Sequence, residues 1–387
     1  MTTSTEPSRP APAGDGPLGA AWRAEAERAQ RDALPPGRVV VSCSAPFGAG
    51  GLGRHCREIV AALDRGGQPR VCLCGSAPAS DPSIQELPVG RPGKILARLA
   101  SPSPAWRTWA ASVAFDRRAA RALPASDHLI AFNGQAVAQM EAARSDGCES
   151  VSLVAANSHL RQVVRQHAKA YARYPFDRSW APRLLGRNLV EYARADRIYV
   201  ATRYIWESFV EAGFSEESLS PLPLTPDPRY GSARERAAGE RAASGTFDVV
   251  YVGSLTVAKG VPLLVEAFGR IAHADMRLLL VGGWGTRGMR RFVERACARD
   301  PRIAVRPGDP LPHLRGARLY VHPAYEDGFA YAPAEALACG VPVIVSEDTG
   351  MKELISSAGE GVVVPTGDLD ALTEAIGAAY AGEILDG

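Results

Sequence analysis

Residues 319–345 read LYVHPAYEDGFAYAPAEALACGVPVIV, the most informative segment of this sequence. An apolar run predicts a strand that ends at His322, and the polar residues of 324–330 then predict a loop. A helix is expected to begin next to Pro333, because proline is well placed in a first helical turn. The run 342–345 predicts a second strand. A strand, a loop, a helix and a strand in this order indicate a βαβ unit of a parallel sheet.

The loop and helix of this unit carry two acidic residues that suit a sugar ligand. Asp327 and Glu335 stand eight positions apart, so both are expected to face one pocket. A carboxylate readily accepts hydrogen bonds from two neighbouring hydroxyl groups. The N–H groups of Gly328, Phe329 and Ala330 are expected to be free to bind an oxyanion. The alternative for Glu335 is a surface carboxylate favoured by the helix N-terminus.

A second strand-to-helix turn lies upstream. Residues 249–255 (VVYVGSL) predict a strand that ends at Gly253-Ser254, and Lys259 precedes a predicted helix over 261–271. A turn that bears a lysine next to a helix start suits a diphosphate, against which Lys259 acts as a point charge. The alternative is a solvated lysine.

A glycine-rich turn marks the first half of the chain. The strand predicted over 38–43 leads into FGAGGLG at 47–53, and a helical pattern follows over 54–63. Gly50 and Gly51 permit close approach of a ligand to the backbone. The next predicted strand ends without an acidic residue, which argues against an ordinary NAD site. The alternative is a plain tight turn.

These alternating strands and helices predict an α/β chain with two Rossmann-like, doubly wound lobes that face a central cleft. The sequence predicts a disordered tail over 1–36 and a first lobe over 37–228. A linker rich in Gly, Ala and Arg is expected over 229–246, after a proline-dense stretch. The second lobe is expected over 247–387.

Composition excludes several classes of protein. The 387 residues carry 44 basic and 42 acidic side chains, a net charge of +2, which gives no footprint for nucleic acid. No apolar run approaches the roughly 20 residues of a membrane span. Seven scattered cysteines without zinc-site spacing, and a start without the apolar core of a secretory signal, predict a cytoplasmic protein with reduced thiols and no metal site.

Three segments together carry a family resemblance: VVYVGSLTVAKGVPLLVEAF at 249–268, residues 319–345, and SEDTGMKELI at 346–355. They resemble the donor-binding half of GT-B glycosyltransferases of the retaining family 4, or group 1, type. The resemblance extends from about residue 38 to the end. It implies a nucleotide-diphosphate sugar donor, with a UDP- or GDP-sugar expected, and no cofactor. It also implies that the second lobe binds the donor, the first binds the acceptor, and the anomeric configuration is retained. The sequence contains no Asp-x-Asp motif suited to a metal-bridged diphosphate, which predicts metal independence.

The same resemblance implies roles for single residues. Glu335 is expected to hold the ribose hydroxyls, and Asp327 to contact the sugar. Glu326 is the alternative acid, through a loop shifted by one residue. Lys259 and the loop N–H groups are expected to hold the diphosphate. His159 stands where the family often has a histidine near the reacting sugar, and the alternative is a satisfied loop histidine.

The sequence departs from the family pattern at two places, and an alternative function remains open. Ser254 stands where the family commonly has a basic residue, so the missing diphosphate contact is expected from elsewhere, for instance Arg54 or Arg287. The family usually ends in a helix that crosses back onto the first lobe, and here that helix is expected to be reduced or absent. A non-catalytic nucleotide-sugar-binding subunit, or a phosphorylase or epimerase on the same fold, is the alternative function.

The acceptor is less well determined, with a sugar, a lipid-linked or a small-molecule acceptor all open. Residues 90–123 combine arginines with Trp106 and Trp109, which suits an anionic membrane surface. A solvated helix face with a buried tryptophan is the favoured alternative. The arginine-rich stretch 159–187 suggests the hypothesis of a phosphorylated or acidic acceptor.

Overall fold

The structure is a computed structural model that describes residues 20–77, 81–87, 104–231, 245–357 and 359–383. These residues form two α/β lobes, each built on one sheet whose strands all pair in parallel. The predicted fold class is therefore confirmed.

The first lobe contains seven strands in the spatial order β3-β2-β1-β4-β5-β6-β7. Its strands are β1 (Val39–Pro46), β2 (Arg70–Ser76), β3 (Ile84–Glu86), β4 (His128–Phe132), β5 (Ser150–Ala155), β6 (Arg197–Val200) and β7 (Leu219–Pro221). Its helices are α1 (Ala20–Ala33), α2 (Gly50–Arg65), α3 (Pro104–Ala122), α4 (Val137–Ser145), α5 (Leu160–Arg173), α6 (Ala181–Arg194) and α7 (Arg203–Glu211). A short 3-10 helix, Glu216–Ser218, precedes β7.

The second lobe contains six strands in the order β10-β9-β8-β11-β12-β13. Its strands are β8 (Phe247–Val252), β9 (Met276–Val281), β10 (Ile303–Val305), β11 (Leu319–His322), β12 (Val343–Ser346) and β13 (Gly361–Val364). Its helices are α8 (Pro228–Gly231), α9 (Val261–Gly269), α10 (Arg287–Arg299), α11 (Leu311–Gly316), α12 (Tyr331–Ala338) and α13 (Leu369–Ala381), with a 3-10 helix at Gly350–Leu354.

Burial on both faces explains the sequence of the central strands. Val39, Val40 and Val41 are all buried, as β1 lies between helices on each side of its sheet. β11 and β12 are likewise buried along their whole length. A strand that is covered on both faces has an unbroken run of apolar residues, and such runs are why these strands could be predicted from the sequence.

The cleft lies where the strand order reverses in each sheet. In the first lobe this switch is between β1 and β4, and in the second it is between β8 and β11. The loops at the carboxyl ends of these four strands carry Asn133, Lys259 and Asp327, which line one cavity. Open α/β sheets bind ligands at such switch points, so the topology alone selects this cavity as a candidate site.

The tail prediction is wrong over part of its length. Residues 1–19 lie outside the described residues, but Ala20–Ala33 forms α1, which packs against α2 and β7. Ala26 and Leu34 are buried, and the Gln30 Nε2 donates a hydrogen bond of 2.7 Å to the Pro223 carbonyl. The segment folds because one side of this alanine-rich, helix-favouring sequence finds a surface to cover.

The two lobes contact each other on several sides of the cleft. Tyr174 follows α5 of the first lobe, yet packs into the core of the second, and its hydroxyl donates to Glu266 at 2.9 Å. Phe176 stacks on Phe292 of α10 at 5.3 Å. Glu353 accepts hydrogen bonds from the first backbone N–H groups of α7. The described lobes are therefore held together by both apolar and polar contacts.

The predicted linker over 229–246 is described only at its ends, since 232–244 lie outside the described residues. Its start belongs to α8, where Tyr230 is 1% exposed and packs into the second-lobe core. The last described helix, α13, packs against α9 in the same lobe. Of the helices described, none is both long enough and apolar enough to cross a membrane.

We expect Gly260→Ala to destabilise the protein by at least about 2 kcal/mol, measured by urea unfolding. Gly260 caps α9 with a φ of +70°, and an added Cβ would come within 1.8 Å of the Pro323 carbonyl oxygen. Left-handed backbone costs a residue with a side chain about 1–3 kcal/mol, and here the neighbour is rigid backbone. Gly269→Ala is the matched control, because its Cβ would meet nothing within 4 Å. Equal stabilities of the two variants would contradict this account.

Candidate active site

The centre of the second-lobe half of the cleft is the carboxylate of Asp327. Its Oδ2 lies 2.6 Å from Lys259 Nζ and 3.0 Å from His322 Nε2. Lys259 stands in the turn between β8 and α9, and His322 is the last residue of β11. Neighbouring parallel strands bring their carboxyl ends to one edge, so residues 68 positions apart meet around one oxygen atom.

These contacts determine the charge of Asp327. The side chain is buried, and burial alone would raise the pKa of Asp327. The adjacent Lys259 ammonium and the His322 hydrogen bond outweigh burial and hold the pKa well below its usual range. Asp327 is therefore ionised at neutral pH, and an ionised carboxylate accepts hydrogen bonds without donating any.

The neighbouring Glu326 points away from this cluster and crosses to the first lobe. Its Oε1 accepts from the Ser158 backbone N–H at 3.0 Å, and its Oε2 accepts from the Asn157 side chain at 3.2 Å. Only 1% of Glu326 is exposed. Burial raises its pKa to about 7, although Lys259 opposes this. Glu326 thus contacts the other lobe, whereas Asp327 faces the cavity.

The loop after Asp327 provides unused backbone donors. The N–H groups of Gly328, Phe329 and Ala330 donate no hydrogen bond within the described part of the chain. They lie immediately before α12, whose first turn adds the positive end of a helix dipole. These N–H groups are therefore free in the described structure, as the sequence predicts, and their binding of an oxyanion stays a prediction. The Gly328 carbonyl accepts a hydrogen bond from Thr202 of the first lobe at 3.1 Å, so the loop is held from both lobes.

Glu335 on α12 is engaged by an arginine from the opposite lobe. Arg54 of α2 forms an ion pair with the Glu335 carboxylate, and its guanidinium lies 4.1 Å from the Tyr331 ring centre. The Tyr331 hydroxyl donates to Glu58 of α2 at 2.7 Å. Burial raises the pKa of Glu335 and Arg54 opposes that rise. These three contacts join α2 to α12 across the cleft.

The remaining predicted donor-side residues fall near the cleft or on its rim. Gly50 and Gly51 lie in the first turn of α2, because this helix begins at Gly50 rather than at Arg54 as expected. Gly51 lines the cavity. Gly253 and Ser254 follow β8, and Ser254 is exposed.

Of the two arginines proposed for the missing diphosphate contact, Arg54 is the one in the cleft. Arg54 lies in the first turns of α2 and reaches Glu335. Arg287 is exposed at the start of α10.

The structure does not bring His159 to the cavity. Its ring packs against Tyr192, Phe209 and Phe214, with ring centres 5.0–5.8 Å away, and only 2% of the residue is exposed. His159 caps α5, and its Nδ1 accepts from the Arg161 N–H at 3.4 Å. Burial lowers its pKa to about 4. This is the environment of a satisfied structural histidine, the alternative that the sequence left open.

Several residues of the cleft had no signal in the sequence. His55 and Gln135 line the cavity from the first lobe, and Glu58 and Tyr331 connect the lobes. His55 does stand two positions after the glycine-rich turn, which is the one local cue available. Among the described residues no group of three His, Cys, Asp or Glu side chains is arranged to hold a metal ion.

We expect Glu326→Gln to remove a pH dependence of stability. The pKa of Glu326 is about 7 in the folded protein against an ordinary 4.5, so the folded state binds more protons between these values. Wild-type stability should therefore fall as the pH rises through this window. The free energy of unfolding of the variant minus that of the wild type should increase by about 2–3 kcal/mol from pH 5 to pH 8.

This comparison is made by urea unfolding at several pH values. Glu294→Gln is the control, since Glu294 forms an exposed pair with Arg290 one helical turn away. The control should show a constant difference from the wild type. A constant difference for Glu326→Gln as well would show that this carboxyl group titrates normally.

Comparisons with known proteins agree with this geometry. Residues 246–381 match the family model described as glycosyl transferases group 1. O-antigen chain mannosyltransferase B of Escherichia coli is 31% identical over 132 residues, which cover 32% of this chain and 34% of the relative. D-inositol 3-phosphate glycosyltransferase of Xylanimonas cellulosilytica is 26% identical over 144 residues, 35% of this chain and 34% of the relative. The chain spans about a third of the length of the curated relatives it matches.

Solved structures extend the similarity to both lobes. Sucrose-phosphate synthase from Thermosynechococcus elongatus matches with a TM-score of 0.66 and 20% identity, covering 90% of this chain and 92% of that one. The glycosyltransferase WaaG matches with a TM-score of 0.64, 19% identity and the same coverage. HepE of Anabaena, solved in complex with UDP-glucose, matches with a TM-score of 0.62 and 14% identity, again over 90% and 92%.

These matches support the prediction of a transferase enzyme. They also confirm the predicted architecture, since the solved structures cover both lobes at once. The second lobe is similar to the glycosyl transferases group 1 family, and the two lobes together have the GT-B fold.

Proposed function

We propose that the protein is a retaining, metal-independent glycosyltransferase that moves a sugar from a nucleotide-diphosphate sugar to an acceptor hydroxyl. The observation that carries the proposal is the joint position of Lys259, Asp327 and three unused N–H groups at the carboxyl ends of β8 and β11. A cation and free amides beside an ionised carboxylate suit a ligand that joins a phosphate to a polyhydroxyl ring.

Each group has a role in the proposed reaction. The acceptor oxygen forms a bond to the anomeric carbon while the bond from that carbon to the diphosphate breaks. The acceptor proton passes to the departing phosphate on the same face of the sugar. Negative charge grows on the leaving oxygen, and Lys259 and the N–H groups of Gly328–Ala330 stabilise this charge. Asp327 accepts hydrogen bonds from the sugar hydroxyls.

Donor binding would change the contacts of Glu335. In the proposed role this carboxylate holds the ribose hydroxyls, yet here it is paired with Arg54. The donor must therefore displace Arg54, whose guanidinium is then free to contact the diphosphate. Such an exchange replaces the basic residue that Ser254 does not provide. It also requires the α2–α12 contacts to open and close around the donor, a motion typical of clefts between lobes.

A non-catalytic nucleotide-sugar-binding subunit is the second candidate. Ser254 favours it, because this position lacks the basic residue expected there, which leaves less positive charge to stabilise a leaving diphosphate. Both candidates are expected to bind a nucleotide sugar, but only the glycosyltransferase is expected to transfer the sugar and release nucleoside diphosphate. A phosphorylase on the same fold would instead release sugar 1-phosphate when inorganic phosphate is added.

The first experiment measures binding and turnover with defined probes. UDP and GDP are screened by thermal shift, since a ligand at 100 times its Kd adds about 2.7 kcal/mol to stability. UDP-glucose and GDP-mannose are then incubated with the protein, and nucleoside diphosphate release is measured. Lys259→Met should lower kcat by about 10²–10³-fold. Lys169→Met, an exposed lysine on α5, should leave kcat unchanged.

The outcomes separate the candidates. A thermal shift without release of nucleoside diphosphate from any donor would favour the binding subunit. Release that depends on inorganic phosphate would favour the phosphorylase. Neither shift nor release would contradict every version of the proposal.

We expect the activity to survive removal of divalent cations. Lys259 and the loop amides supply the positive charge that a metal ion provides in other diphosphate sites, so no bridging ion is required. The protein is treated with about 5 mM EDTA, in excess of any bound ion, and passed through gel filtration. Its rate should then stay within about twofold of that of the untreated protein. Loss of activity that added Mg²⁺ or Mn²⁺ restores would contradict metal independence.

A further inference from the structure

The cleft encloses a cavity of about 410 Å³ that the donor-side residues only partly line. One side is formed by Lys259, Asp327, Phe329 and Tyr331 of the second lobe. The other side is a first-lobe wall at the carboxyl ends of β1, β4 and β5. Its polar side chains include Ser44, His55, Ser112, Asn133, Gln135 and Asn188. The volume lies within the roughly 300–1,000 Å³ of small-molecule sites.

The charge of the lining is unusual for a site that handles phosphorylated compounds. Among the described lining residues the charged ones are Lys259 and Asp327, which lie 2.6 Å apart and pair with each other. His55 is neutral, since burial lowers its pKa to about 3. No arginine lines this part of the described cavity. An anionic group bound against the described part of the first-lobe wall would lose its hydrating water without gaining contact with a cation, which is unfavourable.

The arginines of the stretch 159–187 do not change this picture. Arg187 reaches Asp116 at 2.5 Å and Glu191 at 3.6 Å, so its charge is used inside the first lobe. Arg161 and Arg165 are exposed on α5 and do not line the cavity. The hypothesis of a phosphorylated or acidic acceptor therefore finds no cation on this wall in the described structure.

The first-lobe wall nevertheless holds unused hydrogen-bonding capacity. His55 is 4% exposed, and its Nε2 has no hydrogen-bond partner in the described structure. Gln135 accepts from the Ser44 N–H through Oε1 at 2.7 Å, which leaves its amide N–H₂ group without a described acceptor. A buried polar atom without a partner destabilises the fold, so such atoms usually mark a bound water or ligand.

Aromatic rings complete the lining. Trp180 contributes from the start of α6, and Phe329 and Tyr331 contribute from the second lobe. A sugar or cyclitol ring presents C–H groups on its faces and hydroxyl groups at its edge. Rings beside neutral donors and acceptors therefore match it on both counts.

We infer that the first-lobe wall binds an uncharged polyhydroxyl acceptor group, a sugar or cyclitol ring with no phosphate or carboxylate beside the reactive hydroxyl. This inference rests on the proposed glycosyl transfer and specifies its acceptor. His55 and Gln135 are the residues that bind acceptor hydroxyls, and neither contacts the diphosphate in this arrangement. The neutral wall selects against a phosphorylated analogue because none of its described residues is a cation that compensates the phosphate charge.

The experiment compares matched pairs of acceptors. The donor is whichever of UDP-glucose and GDP-mannose the protein accepts. The pairs are myo-inositol with D-myo-inositol 3-phosphate, and glucose with glucose 6-phosphate. Glycosylated product is measured by mass spectrometry, and nucleoside diphosphate release without acceptor is measured in parallel. We expect kcat/KM at least tenfold higher for the neutral member of a pair. A higher value for the phosphorylated member, or product from neither in a protein that releases nucleoside diphosphate, overturns the inference.

Variants of the wall test the assignment of residues. His55→Phe keeps a ring in edge-to-face contact with Phe132, whose ring centre lies 5.1 Å away in the wild type, and removes the ring nitrogens. It should raise KM for the neutral acceptor about tenfold and leave the thermal shift given by UDP or GDP unchanged. His273→Phe is the matched control, an exposed histidine stacked on Tyr380 away from the cavity. An unchanged KM in His55→Phe overturns the role of His55.

Two readouts keep the inference separate from the proposed function. A thermal shift with UDP or GDP in His55→Phe shows that the variant is folded and binds nucleotide. Should His55→Phe not fold, Gln135→Glu is the second variant: it retains the acceptor oxygen for Ser44, replaces the amide donor by a charge, and should raise KM likewise. Absence of nucleotide binding and of donor use in the wild type rejects the proposed function itself. Donor use with a preference for phosphorylated acceptors rejects only the acceptor inference.

Discussion

One oxygen atom of Asp327, shared by the Lys259 ammonium and the His322 ring, fixes the second-lobe half of the cleft. A buried carboxylate is costly unless its charge is compensated, so the loop that carries Asp327 is tied to the ends of β8 and β11. The position of this loop determines where the N–H groups of residues 328–330 lie. It also determines where α12 begins. The contacts that compensate the charge of Asp327 therefore also position the candidate donor site.

The first lobe reaches the same loop from the other side. Glu326 accepts hydrogen bonds from Asn157 and Ser158, and Glu335 pairs with Arg54. The Glu335 side chain is only 2% exposed, so removing Arg54 without a substitute would leave a buried charge unpaired. A nucleotide sugar carries hydroxyls for the carboxylate and phosphates for the guanidinium. In the proposed function, ligand binding exchanges one set of compensating contacts for another, and this keeps the energetic cost of opening small.

Sequence reasoning succeeded where the signal is local. The central strands are unbroken apolar runs because both their faces are buried, and the order of strands and helices implies parallel sheets. This topology predicts that Lys259 and Asp327 lie close together, because each comes after one of the two strands at the switch point of the same sheet. The pair was predicted as two neighbours of one ligand. That they neutralise each other was not predicted, because side-chain pairing depends on distances that spacing does not give.

Contacts between the lobes left no such signal. Arg54 and Glu335 are 281 positions apart, and nothing near either residue specifies the other. The segment of α1 was predicted as part of a disordered tail because the start of the sequence is rich in Pro, Gly, Ser and Thr. The surface of α2 and β7 nevertheless suffices to bury Ala26. His159 was assigned by its place after a strand. Its ring turned inward because Tyr192 and Phe209 offer an apolar site that favours a neutral histidine.

The two walls of the cavity differ in how firmly they are built. Beneath the first-lobe wall, Glu191 accepts hydrogen bonds from the N–H groups of Gly134 and Ala136, and Asp116 accepts from the first N–H groups of α4. These carboxylates satisfy the start of a helix from inside the lobe, and thereby hold the loop that carries Gln135. The wall is therefore formed without help from the second lobe. The donor side, by contrast, exchanges contacts with the first lobe. In the proposed reaction, a wall that is already formed orients the acceptor hydroxyl before transfer, and early orientation of one reactant lowers the entropic barrier to transfer.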